Sequence, residues 1–452
     1  MATASPPTVA KSPPGPPGRW LTGHLPDIRR DMLGFFTRLA REHGDVAAFR
    51  MGPRPAVLIS HPDAIEEVLL TQNRNFTKHY VMQILRPVLG NGLLTSEGDF
   101  WLRQRKLIQP AFGKQRVEAY GAIMVEHTER QMAEWRDGQE VDLHHEMMRL
   151  ALSIVAKALL DVDLTSQYTD VGRCLDFLME DFSYRFENVF SIPMWFPTPW
   201  NRRAQRSIHR LFEIIEEIIR QRRAAGADRG DLLSILVQAR DEADGSGMTD
   251  RQVRDEVMTL FLAGHETTAN ALSWTWYLLA GHPEVETKLR AELRDVLGDR
   301  PPAVADLPRL RYAEQVVTEA MRLYPPAYAF GRRAIDACTI AGYPFPAGQT
   351  FIMSQWVVHR DPRFWDRSDA FLPERWADEK TKQLPKYAYF PFGGGPRVCI
   401  GNNFAMIEAT LILATIARKF RFALAPGQTI RPWPSITLRP AGGMRAVVQA
   451  GD

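Results

Sequence analysis

The sequence is short of cysteine, of net charge and of long apolar runs, and each shortage excludes something. Three cysteines, Cys174, Cys338 and Cys399, in 452 residues cannot build a disulfide framework. An odd count also fits a reducing cytoplasm better than secretion. Lys and Arg number 56 against 53 for Asp and Glu, a net charge of +3. That gives no electrostatic case for a nucleic-acid binder, which usually carries a clustered cationic excess. No apolar run of signal-peptide or membrane-span length precedes Lys11. The apolar stretch 261–280 contains His265 and Glu266 and so reads as a buried helix, with no membrane span expected. What remains is ordinary for a folded chain: 45% hydrophobic and 24% charged residues. The length leaves one large domain and several small ones equally open.

Local patterns predict a mainly α chain with a small β-rich part. Residues 13–18 read PPGPPG, which cannot be helical, so residues 1–19 are expected to form a flexible lead-in. Residues 32–43 have helical apolar spacing, and residues 45–60 alternate around a Gly-Pro-Arg-Pro turn, as a hairpin does. Residues 75–100 are greasy but irregular. Residues 191–200, SIPMWFPTPW, form a proline-broken aromatic loop. The best single element is a helix over about 249–281. Thr249 stands as its N-cap and Gln252 at the reciprocal capping-box position, with Pro283 beyond its far end. A helix of that length spans roughly 45 Å and should cross the core. Further helices are expected over 284–297 and 312–323, the second ended by Pro325-Pro326. Segments 326–358 and 420–452 read as short strands, and strands from both ends of the chain are expected to share one sheet region. No repeat or clean linker divides residues 20–452, which are expected to fold as one unit.

One cysteine stands apart. Residues 392–401 read FGGGPRVCIG, followed by a long apolar helical pattern. Cys399 therefore lies just before or within the first turn of a helix, where backbone N–H groups favour a negative sulfur. The glycines permit close backbone approach to something flat or large. Phe392 can pack beside such a group, and Arg397 can bind an anionic substituent on it. One thiolate with no second cysteine suggests a single metal bond to a cofactor that brings its own remaining ligands, as a haem does. Cys174 and Cys338 lack such surroundings and read as structural.

The string Phe392-x-x-Gly395-x-Arg397-x-Cys399-x-Gly401 resembles the haem-binding signature of the cytochrome P450 family at every defining position. Three more motifs follow that family's order, and the resemblance runs from about residue 20 to the C-terminus. Glu319-x-x-Arg322 puts an acid and a base on one helix face. With Arg375 of Pro373-Glu374-Arg375-Trp376, the resemblance implies a buried charge cluster that holds the cysteine loop. Ala263-Gly264-His265-Glu266-Thr267-Thr268 matches the family's oxygen-binding groove. The resemblance implies catalytic roles for Thr267 and Glu266 in oxygen activation and proton delivery, with Ala263 and Gly264 against the cofactor. On spacing alone, Thr267 can bond the carbonyl four residues back, and Gly264 leaves room for a ligand. Trp101-x-x-x-Arg105 implies contacts to the haem propionates, together with Arg397 and Arg332, although Arg333 is adjacent and the register is open. Arg103 and Lys106 lie off that helix face and are expected to be solvated.

The resemblance implies a haem-thiolate monooxygenase that activates O2 and hydroxylates or epoxidises a lipophilic substrate such as a fatty acid, terpene, steroid or polyketide. Its cofactor would be heme b on Cys399, with no fused flavin or iron–sulfur centre. Electrons would then come from a ferredoxin, or a flavodoxin, and an NAD(P)H-dependent reductase. A cytoplasmic monomer without nucleic-acid partners is expected. Tyr80, Val81, Leu85, Ala263, Thr268, Ala327, Tyr328 and Phe330 are the candidate substrate-pocket residues. Arg86 and Arg185 read as structural more readily than as carboxylate binders. The alternative is a related haem enzyme catalysing peroxide-driven oxidation, isomerisation or dehydration. A non-enzymatic haem sensor or carrier is the third reading.

Overall fold

A computed structural model describes residues 12–163, 168–187, 192–226, 228–241 and 244–451. The described residues divide into two units. The first comprises Met1–Tyr80, Tyr328–Asp369 and Gln383–Cys399; the second comprises Val81–Ala327, Ala370–Lys382 and Ile400–Asp452.

The first unit is built on a five-stranded sheet. In spatial order its strands are Val46–Met51, Arg54–Ile59, Thr350–Met353, Phe330–Ala334 and Phe76–Lys78. The expected hairpin is its edge, pairing Val46 with Ile59 and Met51 with Arg54. Its inner strand pairs parallel with Thr350–Met353, Leu58 opposite Ile352. Val57, Leu58 and Ile59 are all buried, as expected for a strand covered on both faces. The helix Met32–His43 starts where Asp31 accepts a hydrogen bond from the Gly34 N–H at 2.9 Å. Its Phe35 and Phe36 rings pack edge-on against Phe49, with centroids 5.7 and 5.8 Å apart.

The described part of the expected lead-in is held by backbone hydrogen bonds. The Ala48 N–H donates to the Pro14 carbonyl at 2.7 Å, and Arg19 and Gly23 exchange backbone hydrogen bonds. A proline lacks an N–H but keeps its carbonyl, so this segment can still dock on a sheet edge. Residues 1–11 lie outside the described part. The greasy stretch after residue 75 also proves more regular than expected, with the strand Phe76–Lys78 and, in the second unit, the helix Met82–Leu89.

The second unit is helical around one long element, Asp250–Gly281. The predicted capping box is present: Thr249 N donates to Gln252 Oε1 at 2.8 Å, and Gln252 N donates to Thr249 Oγ1 at 3.3 Å. This helix packs along Leu143–Leu160. A Cβ on Gly264 would stand 3.1 Å from Val155 Cγ2 of that neighbour. Glycine there admits close approach of the neighbouring helix. Helices Pro283–Leu297 and Arg311–Leu323 match expectation to within a residue.

The C-terminal strands correct a sequence expectation. Phe420–Leu424 and Arg445–Ala450 form a sheet with Glu140–Asp142, not with the N-terminal hairpin. The partner strand is only three residues long and follows a helix, so no alternation announced it. A second hairpin, Pro432–Pro434 with Leu438–Pro440, is fixed to the central helix along one stripe. Asn270 donates to Thr437 Oγ1 at 3.0 Å, and Trp274 Nε1 donates to the Leu438 carbonyl at 2.9 Å. Residues 266, 270 and 274 recur every four positions and so face one way. The stripe decides what Glu266 meets.

Candidate active site

The cysteine loop belongs to the first unit. The helix Asn402–Ala417 begins three residues after Cys399, so the thiol lies just before the helix, as expected. The Cys399 N–H donates to the Phe392 carbonyl at 3.0 Å and closes the loop on itself. Gly395 has φ +65°, and a Cβ there would lie 1.8 Å from the Leu69 carbonyl oxygen. Only glycine fits that approach. The result is unusual for a cysteine, which tends to be buried: Cys399 is exposed while Phe392 and Arg397 beside it are half-buried.

Strand alternation settles the two adjacent arginines of the same unit. Arg332 shares a face with Phe330, its guanidinium carbon 5.0 Å from that ring's centroid. Phe330 in turn lies 4.0 Å from where a Gly393 Cβ would be. Arg333 points to the other face and donates to the Gly348 carbonyl at 3.4 Å. Arg332 is therefore the arginine on the side of the glycine loop. One exposed thiol, a glycine-rich loop and the guanidinium groups of Arg332 and Arg397 make a donor set that suits a flat anionic cofactor held through a single metal–sulfur bond. Tyr80, also in this unit, lies under Arg54 with 4.1 Å from guanidinium carbon to ring centroid.

In the second unit, the middle of the long helix has a narrow accessible strip. Ala263 is exposed and Gly264 and Thr267 are half-buried, while His265, Glu266 and Thr268 are buried. The Thr267 hydroxyl donates to the Ala263 carbonyl at 2.5 Å, as its spacing predicts. His265 bonds the Met148 carbonyl at 3.0 Å, and burial pushes its pKa down to about 4. It is a neutral packed histidine.

Glu266 is clamped. The hydroxyl of Thr437 donates to it, and Arg439 Nε donates to Oε1 at 2.6 Å. Burial pushes this carboxyl up. The Arg439 charge and the two hydrogen bonds outweigh that and hold it below the ordinary carboxylate range. Thr437 and Arg439 lie about 170 positions downstream, and no local pattern pointed to them.

The opposite case sits one residue along. Thr268, expected at the pocket, is 4% exposed and donates its hydroxyl to Glu408 Oε2 at 2.9 Å. Glu408 is 1% exposed within the apolar helix Asn402–Ala417, and its Oε1 has no hydrogen-bond partner among the described residues. Burial pushes its pKa up to about 8. This neutral buried acid went unremarked in the sequence, although a lone carboxylate in NNFAMIEATLILATIA is a visible signal.

The remaining predicted residues divide between partly exposed and packed positions. Trp101 is buried, and Arg105 is half-buried with its guanidinium carbon 5.9 Å from the indole centroid. Gly401 is the N-cap of Asn402–Ala417. Val81 and Ala327 are half-buried, whereas Leu85 is packed in the hydrophobic core. Tyr328 is also packed in, its hydroxyl 3.5 Å from Met32 Sδ. Leu85, Thr268 and Tyr328 are thus core residues, not open lining. Arg103, expected to be solvated, pairs with Asp241 at 2.8 Å. Arg185 is consumed by Asp181 at 2.8 Å and Asn201 at 2.7 Å.

The charge cluster lies wholly in the second unit. Glu319 accepts from Arg322 Nη2 at 2.8 Å and Nε at 2.9 Å. It also accepts from Arg375 Nε at 2.9 Å, Trp376 Nε1 at 2.9 Å and the Leu372 N–H at 3.1 Å. Arg322 and Glu319 are fully buried. Five donors on one carboxylate satisfy a buried charge that would otherwise be prohibitive.

Comparison with known proteins agrees with this geometry. The family model for cytochrome P450 matches residues 13–444. Cyclooctatin synthase of Streptomyces melanosporofaciens is 39% identical over 434 residues, covering 96% of this chain and 94% of that protein. Cyclooctat-9-en-7-ol 5-monooxygenase of the same organism is 37% identical, covering 95% and 96%. Pentalenene oxygenase of Streptomyces avermitilis is 35% identical, covering 91% of each. With the cysteine loop, the acid–alcohol helix and the Glu319–Arg322–Arg375 cluster all present, a match of that extent means that the chain belongs to the cytochrome P450 family and is a monooxygenase.

Proposed function

We propose that the enzyme hydroxylates a cyclic terpene, with Cys399 as the ligand to a haem iron. The exposed thiol in a closed, glycine-built loop carries the haem reading. The substrate class rests on the relatives named for cyclooctatin, cyclooctat-9-en-7-ol and pentalenene, each similar over at least 91% of this chain. When bound, a thiolate-ligated haem supplies oxygen activation, with the electron-rich sulfur favouring O–O cleavage.

The chain's own residues position, neutralise and move protons. Arg332 and Arg397 of the first unit offer guanidinium groups to the cofactor's carboxylates. Ala263, Gly264 and Thr267 form the accessible strip of the long helix, so the Thr267 hydroxyl is the polar group offered there. It donates its hydrogen bond to the Ala263 carbonyl and keeps its lone pairs for a donor arriving at the strip. Glu266 accepts from Arg439 and Thr437 as a held carboxylate, so it serves as a proton carrier only when Arg439 loosens. Glu408 holds a proton near neutral pH beside Thr268. The two carboxyls, Glu266 held by Arg439 and Thr437 and Glu408 bonded by Thr268, thus stand in opposite protonation states, which separates acid from base. Electrons come from separate redox proteins, a ferredoxin and its NAD(P)H-dependent reductase, and the enzyme works as a cytoplasmic monomer.

The test is turnover with heavy-isotope dioxygen, a ferredoxin pair, NAD(P)H and a panel of cyclic diterpene and sesquiterpene hydrocarbons. The expected product is an alcohol with one labelled oxygen. Fatty acids or steroids oxidised in preference to every terpene would overturn the substrate class.

A further inference from the structure

The function proposed above gives no task to His359, a histidine that is 0% exposed. It ends the short helix Gln355–Val358, which follows the buried strand Thr350–Met353. That helix is fixed at its start. Ser354 Oγ accepts from the Val357 N–H at 3.4 Å and donates to the Tyr328 carbonyl at 3.0 Å. Ser354, Gln355 and Val358 are buried as deeply as the histidine. The ring therefore stands on a rigid footing. A histidine buried to this degree needs a polar partner, and the partner shows what the ring is for.

That partner lies 31 positions downstream, in the stretch that leads into the cysteine loop. The Phe390 N–H donates to His359 Nε2 at 3.0 Å. A backbone N–H can only donate, so Nε2 is the unprotonated nitrogen of a neutral ring. Most backbone donors meet backbone carbonyls, and a side-chain nitrogen in that place is uncommon.

The hold passes from Phe390 into the loop. The Gly393 N–H donates to the Phe390 carbonyl at 2.9 Å, and the Cys399 N–H donates to the Phe392 carbonyl at 3.0 Å. Ring contacts fix the same stretch. The His359 ring meets that of Phe390 edge-on at 5.3 Å and that of Tyr389 at 5.0 Å. Tyr387 is buried, and a Cβ on Gly394 would lie 2.3 Å from its ring. The loop thus springs from a base held at residues 387, 389 and 390. Every one of these groups belongs to the first unit.

We propose that His359 is a positioning residue for Cys399, acting through the Phe390 N–H. Its lone pair fixes the backbone from which the loop springs, and the closed loop carries that position to the thiol. The role belongs to the acceptor nitrogen and not to the bulk of the ring. A carbon ring of similar size would leave a buried N–H orphaned, which costs more than an ordinary hydrogen bond returns. Glutamine would not, because its Oε1 stands as many bonds from the backbone as the histidine Nε2. This role rests on the reading of Cys399 as the haem ligand.

The test compares wild type, His359→Phe and His359→Gln holoproteins in mild urea. The carbon-monoxide difference spectrum of each reduced protein is followed over time, with far-ultraviolet circular dichroism alongside. His359→Phe keeps the ring packing and should lose the red-shifted thiolate band about tenfold faster than wild type, the effect of one orphaned buried N–H. His359→Gln should hold the band nearly as long as wild type. A role in packing alone predicts the reverse order, with Phe lasting and Gln failing, and that order overturns the proposal. Equal rates in all three proteins overturn it too. Should His359→Phe take up no haem, His359→Gln decides: a lasting band upholds the acceptor role, and a rapidly lost one overturns it. Wild type without the red-shifted band would overturn the haem reading and this role with it. Wild type with the band beside a failing Gln variant overturns this role alone.

Discussion

Replacing Glu408 by Gln should make the protein more stable, and only on the alkaline side. The carboxyl is 1% exposed, and among the described residues Thr268 is the one group bonded to it. Burial raises its pKa from 4.5 to about 8. In the unfolded chain it ionises near its ordinary value. Between the two values the folded state holds a proton that the unfolded state has released. Stability therefore falls as pH rises through this window, by up to about 1.4 kcal/mol per pH unit, and levels off above the folded value. Summed over the window, the penalty at alkaline pH is on the order of 3 to 5 kcal/mol. Gln keeps the shape, offers Thr268 a carbonyl oxygen and cannot ionise. Denaturant midpoints of wild-type and Glu408→Gln holoprotein, followed by far-ultraviolet circular dichroism, should nearly coincide at about pH 5 and diverge above it. The variant should lead by a few kcal/mol near pH 8. Parallel curves across the range would refute the buried neutral acid.

Glu319→Gln removes the charge that holds two buried guanidinium groups and should cost about 3–5 kcal/mol, seen as a lowered melting temperature and poor haem retention. Arg375→Ala should cost less, because Arg375 is the more exposed partner at 10%. Arg439→Gln leaves Glu266 buried without its cation, so its pKa should rise from below the ordinary range to above it. A protonated-carboxyl infrared band should then appear near neutral pH, and Glu266→Gln in the same background should remove it. Its absence would mean that Arg439 does not hold the carboxylate ionised.

Much of this was readable in the sequence where the determinants are local. The Thr249–Gln252 capping box, the Thr267 bond to Ala263 and the loop from Phe392 to Cys399 each depend on residues within ten positions of one another. Arg375 was reached only through the family's motif order, because nothing in 56 residues of separation encodes its distance to Glu319. Arg439 was missed for the same reason, with 173 positions between it and Glu266 and no motif to bridge them. The close approach of Val155 to Gly264 was not announced either, since the two lie more than a hundred positions apart. The strand Glu140–Asp142 was invisible because three residues carry no period. Leu85 and Tyr328 were assigned to the pocket on composition, which does not say which way a side chain points.

The central claim is that Cys399 binds the haem iron as a thiolate, and the carbon-monoxide difference spectrum of the reduced protein tests it most directly. Wild type should give the red-shifted Soret band of a thiolate-ligated haem, and Cys399→His should give the shorter-wavelength band of imidazole ligation with the fold retained. A wild-type protein, folded and haem-loaded, that shows only the shorter-wavelength band would contradict the account.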